Sequence, residues 1–163
     1  PKGSSFLYVA KNFQKGMSPQ IMSWGEEGDD PGPSQFLMDF QWQGTKDMSA
    51  FLAIPSAIRF LQKNKWKEKS VISKNLISHL AGRLKDILGT ESLFKNKDWI
   101  GQMISHPLPI DSPVNLKDML WNDFKIEVPI FDWGERNFIR VSAHFYNDQK
   151  DMDHLIKALK EIF

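Results

Sequence analysis

The chain has 163 residues, with 21 Lys+Arg against 20 Asp+Glu, four His and no Cys. That length holds one ordinary domain or parts of two, and 41% hydrophobic with 25% charged residues is globular material, not a disordered tail. A formal net charge of +1 leaves no nucleic-acid footprint, and the missing Cys excludes disulfides, zinc–thiolate sites and a cysteine nucleophile within these residues.

No run approaches the roughly 18–20 apolar residues that cross a bilayer. Phe6 to Ala10 is too short for the apolar stretch of a cleavable signal, so a cytoplasmic protein without membrane contact is the expectation. Ser5 to Val9, bounded by Gly3 and by Lys11-Asn12, reads as a strand buried on both faces, and Ile21 to Trp24 as a short second one. Residues 25–34, GEEGDDPGPS, form a loop: a surface excursion or a lid over a site. Phe36 to Trp42 alternates imperfectly and reads as a strand. From Asp47 to Asn64 the apolar positions Phe51, Leu52, Ile54, Ala57, Ile58, Phe60 and Leu61 follow a period near 3.6 and predict a helix. Pro55 must then lie in a first turn or kink it. Lys63, Lys65, Lys67 and Lys69 surround Trp66, a solvated turn in preference to a phosphate-polymer site. Ser70 to Leu88 is the clearest helix, with Val71, Leu76, Leu80, Leu84, Ile87 and Leu88 along one side. Gly89 suits the left-handed residue that ends it.

The last third changes character. Gln102 to His106 reads as a strand ended by Pro107. Asn115 is a candidate N-cap, with Asp118 at the third helical position and Leu116, Met119, Leu120 and Phe124 on the buried side. Ile126 to Phe131 reads as a strand interrupted by Pro129, residues 134–137 as a turn, and Phe138 to Phe145 as another strand. Arg140, Ser142 and His144 give that last strand a polar face. A terminal helix starts at Asp148 or Asp151 and buries Leu155, Ile156, Leu159 and Ile162. The order strand, helix, strand, strand, helix predicts a small sheet covered by two helices on one face. Residues 66–163 are therefore expected to be a compact α+β domain, whereas the strands of residues 1–65 have no evident partners.

Chemical motifs are sparse. The four His are isolated without metal-ligand spacing, and neither a phosphate-binding Gly-rich loop nor a Gly-x-Ser-x-Gly elbow is present. His79 lies within the strong helix and reads as structural; His106, at a strand end, is more informative. Arg140 is a permanent cation between Ile139 and Val141. It points to solvent, pairs with a carboxylate such as Glu127, or clamps a ligand carboxylate. Gly44-Thr45 ahead of a helix either caps it or presents amides and a hydroxyl to a phosphate.

Several segments match a known family in order. They are Pro1-Lys2-Gly3 with Phe6-Leu7-Tyr8-Val9, Ser23-Trp24-Gly25, and Trp42-Gln43-Gly44-Thr45-Lys46-Asp47 with Ala50-Phe51-Leu52. Last come Ile139-Arg140-Val141-Ser142-Ala143, Tyr146-Asn147 and Asp151. Together they resemble the class V branch of pyridoxal-phosphate-dependent aminotransferases, of the isopenicillin-N-epimerase-like type. The resemblance implies an α/β fold: the C-terminal portion of the pyridoxal-phosphate-dependent transferase fold, ending in the small α+β domain. Residues 1–65 would be the C-terminal part of the large cofactor-binding domain.

In that family the lysine that holds pyridoxal 5'-phosphate precedes a Pro-Lys-Gly motif. Lys2 matches the later lysine of that motif, so the resemblance assigns no catalytic residue and no metal ligand within this chain. It makes Thr45 the threonine that binds cofactor phosphate, reaching into the partner subunit's site of a homodimer, and Gly44 the glycine that permits the approach. Arg140 becomes the holder of the substrate α-carboxylate, and Asn147 a structural corner residue. Trp24 and Gln43 fall near the pocket. The implied enzyme acts on a small-molecule amino acid as an aminotransferase or epimerase, and the chain alone is expected to be inactive. The missing Cys argues against a desulfurase that carries sulfur on a C-terminal cysteine. The alternative is a non-catalytic small-molecule or protein-binding module.

Overall fold

The computed structural model describes residues 3–26, 33–41, 43–94 and 96–163. Pro1, Lys2, Trp42 and residues 27–32 of the acidic loop lie outside them. The chain forms two compact units, Pro1–Phe60 and Leu61–Phe163.

In the first unit the described elements are helical: α1 (Lys11–Gln14), α2 (Gln35–Gln41), α3 (Ser49–Leu52) and most of α4 (Ile54–Lys63). Ser5 to Val9 is not a strand, and its apolar side chains are not buried: Phe6 is 93% and Tyr8 81% exposed. A strand needs a neighbour for its N–H and C=O groups, and no strand of this unit lies among the described residues. Ile21 to Trp24 is irregular for the same reason and leads into a turn.

The expected strand at Phe36 is instead α2. Its apolar residues pair at i,i+4, not i,i+2. The Phe36 and Phe40 rings meet at 4.7 Å, and Gln35 Nε2 donates to Asp39 Oδ1 at 2.7 Å. Ser34 starts the helix: its hydroxyl accepts from the Leu37 N–H at 3.3 Å. Gly25 packs against the backbone of α2, where a Cβ would run into the Met38 carbonyl.

The single helix expected over 47–64 is two, joined at Ala53. Pro55 sits in the first turn of α4, where its missing N–H costs nothing.

The second unit is a two-layer α+β structure. It contains α5 (Trp66–Leu88), a 3-10 turn (Lys97–Trp99), β1 (Met103–Pro107), α6 (Leu116–Phe124), β2 (Ile130–Trp133), β3 (Arg136–Ser142) and α7 (Gln149–Ile162). Helix α5 starts four residues before its expected N-terminus, after Lys65 in the left-handed region at φ 51°. It ends as expected at Gly89, φ 62°, whose N–H donates to Lys85 O.

The sheet is antiparallel in the order β1-β3-β2. Asn115 occupies the N-cap position of α6 but makes no capping bond through its side chain. Strand β2 begins later than expected because of Pro129. That residue accepts from the Arg140 N–H at 2.9 Å and has no N–H to return, so the ladder stops there.

One face of the sheet carries the core. Ile104, Ile139 and Val141 pack with Ile77, Leu80, Leu84 and Leu88 of α5, Leu116 and Leu120 of α6, and Leu155, Ile156 and Leu159 of α7. Val71, expected on this side of α5, is instead 57% exposed.

Helix α7 is locked at its start by a reciprocal pair. Asp148 accepts from the N–H groups of Lys150 and Asp151, and Asp151 Oδ2 accepts from the Asp148 N–H at 3.2 Å. Asn147 completes the corner. Its Oδ1 accepts from the His144 N–H at 2.9 Å and its Nδ2 donates to Asp151 at 3.1 Å. Replacing Asp148 with Ala is expected to cost about 1 kcal/mol, read as a lowered urea midpoint with unchanged slope.

Candidate functional site

Antiparallel alternation sends every second side chain to the face away from the helices. On β3 these are Phe138, Arg140 and Ser142. Their register partners are Phe131 on β2, opposite Phe138, and on β1 Pro107, Ser105 and Met103, opposite Phe138, Arg140 and Ser142. Trp133 extends the row at the hairpin end, opposite Arg136. The face is aromatic at one end and polar at the other. Phe138 is only 2% exposed although it lies on this side, because Phe131 stacks on it at 5.7 Å and Trp133 borders it at 5.9 Å.

Arg140 stands at the polar end, its side chain exposed. Its guanidinium carbon lies 5.9 Å from the centroid of the Phe131 ring. The two ion pairs among the described residues, Lys85–Glu91 and Lys157–Glu161, do not involve it, and Glu127 is not its partner. Of the readings left open by the sequence, internal pairing is therefore absent among the described residues. What stands is an unpaired guanidinium beside the Ser105 position, with its five donors available. Ser105, Phe131 and Trp133 are additions that residue types alone do not single out. Of the expected polar face, His144 departs: it lies beyond β3 and stacks on Trp66 at 4.3 Å.

The other expected site residues belong to the first unit. Thr45 is exposed, and its hydroxyl has no partner among the described residues. The N-cap position of α3 is held by Met48, without a side-chain capping bond; just before it Asp47 accepts from the Ser49 N–H at 2.8 Å and from the Ser49 hydroxyl at 2.9 Å. Those bonds hold the Asp47 carboxyl below its usual range. Gly44 has φ 116°, and open space lies where a Cβ would stand, so backbone conformation and not crowding calls for glycine. Gln43 lines a cavity of about 370 Å³ with Leu7, Phe36, Phe40, Lys46 and Phe51. Trp24 is 82% exposed, in a turn, and is not among the described residues of that lining.

His106 faces the core and is fully buried. Thr90 Oγ1 donates to Pro107 O at 2.7 Å, so His106 Nε2 must carry the proton that bridges to Thr90 O at 3.2 Å and to Oγ1 at 3.1 Å. Nδ1 is then a buried lone pair without a partner among the described residues. Burial pushes the imidazole below its ordinary value of 6.5. Because the unfolded chain takes up the proton first, stability is full above about pH 6.5 and falls as pH drops through the lowered native value. Urea titrations between pH 7 and 5 are expected to show this loss in the wild type and a flatter profile in His106→Leu.

No group of three or more His, Cys, Asp or Glu among the described residues could hold a metal ion, and no described helix is long and apolar enough to cross a membrane.

No family model matches the chain. It is 31% identical over 176 residues to isopenicillin N epimerase of Amycolatopsis lactamdurans, an alignment covering 99% of this chain and 44% of that protein. It is 27% identical to isopenicillin N epimerase of Streptomyces clavuligerus, over 98% of this chain and 43% of that one. The chain thus spans less than half the length of these relatives. Among solved structures it is similar to 8-amino-7-oxononanoate synthase of Francisella tularensis. The TM-score is 0.54 at 17% identity, over 77% of this chain and 35% of the other.

Proposed function

From a chain that has the C-terminal portion of the pyridoxal-phosphate-dependent transferase fold and is similar to the isopenicillin N epimerases, we propose the substrate-holding part of an amino-acid-converting enzyme of the epimerase or aminotransferase type. The observation that carries this reading is Arg140. A guanidinium on an open sheet face, without a carboxylate partner among the described residues, suits the α-carboxylate of an amino acid. Held by two parallel N–H···O bonds, the carboxylate cannot rotate, and the bond to be broken keeps one orientation.

Thr45 and Gly44 are the proposed phosphate contacts of pyridoxal 5'-phosphate. The donor set fits: an exposed hydroxyl with no internal partner, beside a residue in a glycine-type conformation. When bound, the cofactor supplies the electron sink that makes the substrate Cα–H acidic. The chain's own contribution is to bind the phosphate through Thr45 and to orient the carboxylate through Arg140. In a homodimer Thr45 serves the partner's site. The chain by itself is proposed to lack turnover, since it holds no residue assigned to move the proton.

The test compares pyridoxal 5'-phosphate with pyridoxal, which lacks the phosphate, in binding to the full-length protein. Thr45→Val is expected to narrow the preference for the phosphorylated form roughly tenfold, the worth of a hydrogen bond to a charged group. No preference in the wild type, or an unchanged preference in the variant, would remove Thr45 from the phosphate site.

A further inference from the structure

We propose that Phe131 is the positioning residue for Arg140, fixing its guanidinium for carboxylate capture; this rests on the reading of Arg140 given above. An exposed arginine samples many rotamers, and binding must gather them into one. The Phe131 ring lies under the guanidinium, with 5.9 Å between guanidinium carbon and ring centroid.

That ring is not itself free. It sits directly opposite Phe138 in the β2–β3 register and stacks on it at 5.7 Å, the planes inclined by 21°. Phe138 is in turn sealed by its neighbours. Pro129, two residues before Phe131, accepts the Arg140 N–H and ends the ladder there, so main chain and side chain of Arg140 are both held by the same short segment, residues 129–131.

The two uses of the guanidinium are compatible. A guanidinium can meet an aromatic ring with its flat face and a carboxylate with its edge, so a ring contact does not use up the paired N–H groups. Trp133 adds nothing to this hold, since it lies opposite Arg136 at the hairpin end.

The test uses the full-length protein loaded with pyridoxal phosphate. L-Alanine and ethylamine, which differ by the carboxylate alone, are titrated against the cofactor's visible absorbance. The ratio of their half-saturating concentrations measures carboxylate capture. A general loss of structure weakens both amines and leaves the ratio unchanged. Phe131→Leu is expected to reduce the ratio about threefold to tenfold, and Phe131→Tyr, which restores a ring, to keep it within about twofold.

Arg140→Gln separates the two claims. If it leaves the ratio unchanged, Arg140 is not the carboxylate site and the proposal falls with it. If it collapses the ratio while Phe131→Leu does not, Arg140 stands and the role of Phe131 is overturned. That role is overturned as well if Phe131→Leu weakens both amines equally, or if Phe131→Tyr behaves like Leu.

Discussion

Replacing Arg140 by Gln in the full-length enzyme is expected to lower kcat/KM for an amino acid substrate by roughly a hundredfold or more. Two charge-assisted hydrogen bonds are lost together, each worth about 1.5–3 kcal/mol. Arg140→Lys should fall between, because it keeps the charge and loses the planar fork. Both variants should fold normally. Arg140 is exposed, and the described contact of its side chain is the face of Phe131. Steady-state kinetics with the amino acid and with its decarboxylated amine decide the matter. An equal loss for both would show that Arg140 does not act through the carboxylate.

The largest effect on stability is expected at Leu84. It is fully buried in α5 and belongs to the cluster that joins α5, α6 and α7 to the inner sheet face. Leu84→Ala removes three carbons from a packed site and should cost about 3 kcal/mol, within the usual range of 2–5. Val71→Ala, on the same helix but exposed, should cost less than about 0.5 kcal/mol. Urea unfolding of the two variants side by side measures the contrast. Similar losses for both would mean that α5 packs through a different face.

What can be read from residues alone follows the range of the signals. The start of α7 is legible to within three residues, Asp148 or Asp151, and the capping box that the two form decides for Asp148. The end of α5 is legible because Gly89 is a local conformational requirement. The stretch at Phe36 is not. Four apolar residues in five positions satisfy either period, and the Ser34 cap that decides for a helix lies outside the run. Ser5 to Val9 misleads because an apolar run specifies a wish for burial, not a partner.

Arg140 itself is legible as a cation in a strand, but its surroundings depend on register. A turn over 134–137 would place Phe131 directly across from Arg140. The observed loop is the two residues Gly134 and Glu135, which pairs Phe131 with Phe138 and leaves Arg140 on the diagonal. Two residues of loop length thus separate a ring that faces the arginine from one that underlies it. No side-chain pattern reports that difference.

Pro107 has a consequence for life at high concentration. The bonds from Leu108 N to Asn137 O and from Ala143 N to Gln102 O show that even-numbered residues of β1 bond toward β3. Met103, Ser105 and Pro107 therefore turn their main-chain groups to the outer side of β1; those of Met103 and Ser105 are unpaired among the described residues, whereas Pro107 O accepts from the Thr90 hydroxyl. An open strand edge is a template on which another molecule can add a strand. Where a third N–H would stand, Pro107 offers none, so a docking strand finds two donors and then a gap. The same proline that closes the strand thereby discourages edge-to-edge stacking of copies into insoluble sheets.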